Sequence, residues 1–292
     1  MTATKPVSAP VAERALPPVD LAPLRRRRIR RALAQFACVL VSLFMVLPIV
    51  LIAFAALSTP EELAEFPKSF FPSDVTFDTV RRFVASTGVL PAFGNSVLTG
   101  LYTVLLSLAL GAPAGYALAR HAFRGRDAYQ VFMLMVRALP IVVLSVPLAT
   151  IFLRTGAYDT VGAVTLVHTA LAMPTTVLIT ASIFVAVPTD LEEAAQVFGC
   201  SRASTFRRVV LPLAVPGLAA SAVFTFVLSW NEVLGAGVLT IGHRTLPAQV
   251  LVALADSPQS YRFAGGLALV LPALLFIFLM RRYLLSMWGS RG

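Results

Sequence analysis

The chain has 292 residues, of which 58% are hydrophobic and 13% charged, about half the charged share of a soluble domain. With a mean hydropathy of +0.82, that composition excludes an ordinary soluble enzyme and predicts a polytopic membrane protein. A net charge of +10 would suggest nucleic acid in a soluble protein. Here the basic residues gather at the ends of apolar runs, where membrane topology accounts for them and no nucleic-acid partner is expected.

Residues 1–31 open with a Pro-, Ala- and Val-rich stretch and close on Arg25–Arg28, Arg30 and Arg31. They predict a cytoplasmic, largely disordered basic arm, its arginines acting as a topology anchor or binding anionic lipid. Six apolar runs follow, at 32–57, 91–119, 128–153, 160–189, 209–231 and 263–280. Each is long enough to cross a bilayer core of about 30 Å as a helix. The fold class is therefore all-α, with six transmembrane helices in a domain over 32–285 and a short cytoplasmic tail, 286–292. The first run is too long for a signal peptide and lacks its small-residue cleavage site, so it is read as a retained anchor. With both termini inside, 17 Lys and Arg fall on the cytoplasmic side and 6 outside, Arg137 completing the 24. That ratio predicts an N-in, C-in protein of the plasma or inner membrane. Cys38 and Cys200 form no metal-ligand spacing and predict no disulfide.

Several polar residues within or beside the runs are candidates for a translocation path. Arg137 sits inside the third run, with Pro140 just beyond it to kink the helix. A charge at that depth costs about 2.5–3.5 kcal/mol and should face a partner or a wet cavity. It either lines the path or bonds helix carbonyls. Asn95 and Ser96 in the second run line the path or pack against other helices. Asn231 and Glu232 end the fifth run; Asn231 suits a substrate, and Glu232 the path or an arginine across a subunit interface. His168 reads as a packed structural residue. The outer segment after Glu232 has an exposed tip around Thr240–Arg244.

The connection 188–217 differs from the others. Thr189 and Glu192 have capping-box spacing, which opens a short helix. Leu191, Ala194, Ala195 and Phe198 fall on one apolar face. Gly199 suits the left-handed position that ends a helix, and Ser201 can cap a second helix ending near Pro212. Such a hairpin docks into another protein or lies solvated at the membrane surface.

Glu193-Ala194-Ala195, Gly199 four residues on, Leu211-Pro212 and Pro216 resemble the EAA loop of ABC-importer permeases. Tyr116-Ala-Leu-Ala-Arg120, Phe123-Arg-Gly-Arg126, Arg137-Ala-Leu-Pro140, Ser229-Trp-Asn-Glu232 and Thr245-Leu-Pro247 are similar to further landmarks of the carbohydrate-uptake members, those like the six-span second permease of the maltose importer. Phe198-Gly199-Cys200 departs from their usual Asp-Gly-Ala, and the tail lacks their Gly/Ala/Lys-rich end. The resemblance implies the type I importer fold, forming half of a path for a sugar or polyol. It implies that Glu192, Glu193, Ala194, Ala195, Gly199, Phe206, Arg207 and Pro212 engage an ATPase subunit. It also implies that Ile241, Gly242, His243 and Arg244 meet an external solute-binding protein. The implied partners are a homologous permease, two ATPase subunits and that binding protein. The chain has no GxxxxGK[ST] phosphate loop, so ATP and Mg are expected on the partners, and no cofactor, catalytic residue or metal site in this chain. A glycerol-phosphate-type solute is an alternative substrate. An ion-coupled secondary transporter is a remote rival, since no carboxylate lies within a span and the halves do not repeat.

Overall fold

A computed structural model describes residues 22–65, 71–253 and 257–289. All regular elements among these are helices: α1 (Ala22–Leu57), α2 (Pro60–Ala64), α3 (Asp78–Ala85), α4 (Val89–Arg120), α5 (Arg126–Arg137), α6 (Ile141–Thr155), α7 (Val161–Val185), α8 (Thr189–Val197), α9 (Arg202–Thr205), a π turn (Phe206–Val210), α10 (Leu211–Asn231), α11 (Leu234–Leu239), α12 (Leu246–Ala253) and α13 (Gln259–Gly289). Two compact units divide at Pro48, inside α1. In the first unit the N-terminal part of α1 is the only described element. That helix begins at Ala22, within the stretch expected to be a disordered arm. Arginine and leucine are good helix formers, so the span propagates back through them.

Five helices are long and apolar enough to cross a membrane, and a sixth span exists if the bent pair α5 and α6 counts as one. The expected third span is thus not one rod. It breaks after Arg137 and turns by 86° into α6. Pro140 supplies no N–H and disfavours the helical region for Leu139, which makes the kink expected there a full elbow.

The core of the second unit is the packing of α4, α7 and α10. Helices in lipid gain little from hydrophobic burial against one another and rely on close backbone approach and hydrogen bonds. Glycines supply the approach. A Cβ on Gly111 would lie 2.8 Å from Thr176 Cγ2, and one on Gly115 would meet Thr180 Oγ1 and stand 2.7 Å from the Ala181 backbone nitrogen. Thr180 Oγ1 donates to the Gly111 carbonyl at 3.0 Å, and Thr176 and Thr225 link α7 to α10 at 3.0 Å. Such bonds contribute about 0.6 kcal/mol each in membrane helices. Trp230 Nε1 donates to the Leu269 carbonyl, and Phe226 stacks on Phe276 at 3.9 Å, which joins α13 to α10.

Candidate functional site

At one end of the bundle, α8 and α9 form the hairpin foreseen at 188–217. Gly199 takes φ +87° and closes the turn, and Ser201 Oγ accepts the Ser204 N–H. Two features differ from expectation. Pro188, not Thr189, occupies the N-cap position, and no side chain caps α8. Glu192 instead turns inward, 5% exposed. Its carboxylate accepts from Arg120 Nε at 2.6 Å and from the Tyr116 hydroxyl at 2.6 Å. Arg120 also donates to the Val187 carbonyl at 2.7 Å. The stronger local pull is therefore tertiary: a buried carboxylate needs a cation and donors more than a helix end needs a cap. The second difference is the missing stop near Pro212. The chain passes from α9 through the π turn straight into α10, and the Leu211 N–H bonds the Phe206 carbonyl. The wider turn takes up the residue before a proline that has no N–H to give.

Of the remaining candidate residues only Phe206 packs inward. Glu193 and Ala194 are exposed and Ala195 is half-buried. Val197 and Phe198 are 85% and 88% exposed. Phe206 lies 4.7 Å from the Tyr116 ring, Arg207 is exposed, and Pro212 is exposed in the first turn of α10.

At the opposite end the polar candidates mostly hold loops. Asn95 Nδ2 donates to the Arg244 carbonyl, and Ser96 Oγ accepts the Leu246 N–H at 2.7 Å; both anchor the segment leading into α12. The Glu232 carboxylate accepts the Gly235 and Ala236 N–H groups, capping α11, and takes a third bond from His168 Nε2 at 3.0 Å. His168 is fully buried and also bonds Ser229 Oγ at 2.8 Å. Both oxygens of Glu232 are thus engaged within the chain. Asn231 beside it is exposed.

The tip 240–244 is fastened by a residue that sequence reasoning missed. Asp159, between α6 and α7, accepts the backbone N–H groups of Ile241, Gly242 and His243 at 2.8–3.1 Å. Its φ of +58° is a left-handed value that Asp tolerates better than most residues. Burial pushes its carboxyl up, but the three N–H groups and the His243 side chain outweigh that and hold it below the ordinary 3.8. The only signal in sequence was an Asp after Gly-Ala-Tyr, too common a turn pattern to point across 80 residues. Ile241, Gly242 and His243 are exposed and Arg244 half-buried.

Arg137 ends α5 at the elbow, about 16 Å of helix beyond Arg126. It is exposed, and among the described residues it has no hydrogen-bonding or ionic partner. With Ile141, Leu144, Phe152, Leu171 and Pro174 it lines a cavity of about 210 Å³. The described residues hold no cluster of His, Cys, Asp or Glu able to bind a metal.

Helices long and apolar enough to cross a membrane around a glycine-packed core, with an exposed hairpin projecting at one end, define a polytopic membrane protein. Residues 107–286 match the family described as binding-protein-dependent transport system inner membrane component. The trehalose transport system permease protein SugB of Mycobacterium tuberculosis is 31% identical over 221 residues, 74% of this chain and 81% of that one. The diacetylchitobiose uptake system permease protein DasC of Streptomyces coelicolor is 30% identical over 72% of this chain and 76% of its own. In fold, a bacterial ABC transporter involved in the import of the acidic polysaccharide alginate superposes with a TM-score of 0.67 at 19% identity, covering 89% of this chain and 98% of that one. The chain belongs to the family of binding-protein-dependent inner-membrane transport components. It is a multi-pass permease subunit of an ABC importer with the type I fold.

Proposed function

We propose that this permease forms half of a path for a saccharide or polyol, delivered by an external solute-binding protein and driven by ATP bound and hydrolysed on partner subunits. The observation that carries the substrate class is the similarity, at 30–31% identity over nearly three quarters of the chain, to permeases named for trehalose and diacetylchitobiose. Coupling through the hairpin is supported by its exposed apolar pair, Val197 and Phe198, which water disfavours and a partner's cleft would cover. The uneven spread of Lys and Arg between the two sets of connecting segments supports an orientation with the hairpin and both termini on the ATPase side. The 241–244 tip, on the other side, is available to the binding protein. A homologous permease supplies the other half of the path.

The test is to purify the complex with its binding protein, identify the bound solute by mass spectrometry, and measure uptake of that solute in cells with and without this chain. A bound amino acid or metal complex in place of a saccharide, with uptake to match, would overturn the substrate class. A second reading, an anionic solute such as a sugar acid or a glycerol phosphate, is favoured by one observation: Arg137 lines its cavity without a counter-charge among the described residues. A guanidinium binds carboxylate or phosphate through two parallel hydrogen bonds.

A further inference from the structure

The motif Tyr116–Arg120 lies at the end of α4, far along the chain from the hairpin, yet the fold brings both its polar ends to Glu192. Arg120 and Glu192 are 10% and 7% exposed at their side chains and 2.6 Å apart. Arg120 also reaches the Val187 carbonyl, in the last residues before the hairpin. Tyr116 bonds the same carboxylate and packs its ring against Phe184 of α7 at 5.5 Å and Phe206 of the π turn at 4.7 Å. Phe184 and Phe206 touch in turn at 5.9 Å. Four segments meet at this point: the end of α4, the end of α7, the first turn of α8 and the wide turn entering α10. One turn deeper, Gly115 lets α4 lie against Thr180 and Ala181 of α7 with no room for a methyl group.

We infer that Arg120, Glu192 and Tyr116 form a clasp that fixes the hairpin rigidly to α4 and α7, so that hairpin movement is delivered to those two helices. The inference rests on the reading of the hairpin as the ATPase dock. The physical argument is one of stiffness. α8 is short and joins α7 through Ala186, Val187 and Pro188, a connection that would bend if only the chain held it. Its outward face is left for the partner, and Glu192 alone of its carboxylates is buried. A buried ion pair adds little net stability compared with apolar residues of the same size, but it fixes one geometry, because either group without the other is costly. The three residues are positioning residues: none of them touches solute or nucleotide.

The experiment uses the full complex, with both permeases, the ATPases and the binding protein, in proteoliposomes, and reads solute taken up per ATP hydrolysed. Arg120→Gln is expected to assemble and to lower that ratio about tenfold, the scale on which side-chain networks couple distant sites. Tyr116→Phe keeps the ring packing and should lower it less. The exchanged pair Arg120→Glu with Glu192→Arg should recover part of the loss. Two results would overturn the clasp: a wild-type ratio in Arg120→Gln, or a fall in assembled complex that accounts for all the lost uptake while the ratio stays normal in Tyr116→Phe. A cysteine at Phe198, cross-linked to the ATPase subunits in the wild-type background, tests the dock separately. No cross-link would overturn the dock and the clasp with it; a cross-link together with a normal ratio in Arg120→Gln overturns the clasp alone.

Discussion

Gly115→Ala adds one methyl group where α4 meets α7. The new Cβ would collide with Thr180 Oγ1 and come within 2.7 Å of the Ala181 nitrogen and 2.9 Å of Thr180 Cβ. Two of these atoms belong to α7's backbone or its rigid Cβ, so no rotamer change clears the space and the helices must part. Overpacking of this kind costs about 1–3 kcal/mol. Separation also stretches the bond from Thr180 to the Gly111 carbonyl, worth about 0.6 kcal/mol in a membrane setting. The sum, about 1.6–3.6 kcal/mol, is roughly a 15- to 400-fold fall in the folding equilibrium constant, since each 1.4 kcal/mol is tenfold. Gly94→Ala, in the same helix but with no atom within 4 Å of the added Cβ, should be neutral or slightly stabilising, as alanine is the better helix former. The assay is the thermal unfolding midpoint of each variant in nanodiscs beside the wild type. Equal midpoints for Gly115→Ala and Gly94→Ala would refute the close-packed seam.

Gly199 has open space around it but φ +87°, so Gly199→Val should fail on backbone strain alone, about 1 kcal/mol or more. Gly199→Asn should be milder, with ATPase co-purification as the measure. His168→Phe leaves one bond of the Glu232 carboxylate and one of Ser229 unmade in a buried site, costing about 1–3 kcal/mol; a melting point within a degree of wild type would contradict it. Arg137→Ala should reduce uptake while assembly persists, and Arg137→Lys should also reduce it if the planar fork matters; loss of the complex itself would instead mark a structural arginine. Because the Asp159 carboxyl is held below the ordinary 3.8, its grip on the tip is present above that pH and is lost only as pH falls through the lower folded value. Amide exchange at 241–243 should therefore be unchanged from pH 7 to 5 once corrected for intrinsic rates, and faster in Asp159→Asn at pH 7. Release of the tip near pH 6 would exclude the carboxylate as its anchor.

The runs of apolar residues made the spans legible, because length against bilayer thickness is a one-dimensional question. The hairpin was legible for a similar reason: Gly199 and Ser201 act within a few residues of themselves. What sequence left hidden depends on distance. Glu192 looked like a local cap because Thr189 is its neighbour in sequence, whereas Arg120, its partner in space, is 72 residues away. Asn95 and Ser96 were legible as path or packing residues and Glu232 as a path or interface residue, because polar groups in spans invite those readings. In the fold they anchor a loop to helix ends, serving backbone groups that a run of one-letter codes does not display. The elbow after Arg137 was legible only as a kink, since Pro140 marks where a helix yields and not by how much.

Asp159 gives the tip a mechanical link to the helix that precedes it. Its carboxylate gathers the tip 241–243, and its own amide bonds the Leu239 carbonyl, so tip and connector form one small body. That body follows the C-terminal end of α6, a rod of about 22 Å for its 15 residues, and the rod's other terminus is the elbow. If the proposed binding-protein contact forms at the tip, the load it applies enters the helix whose far terminus adjoins Arg137 and its cavity.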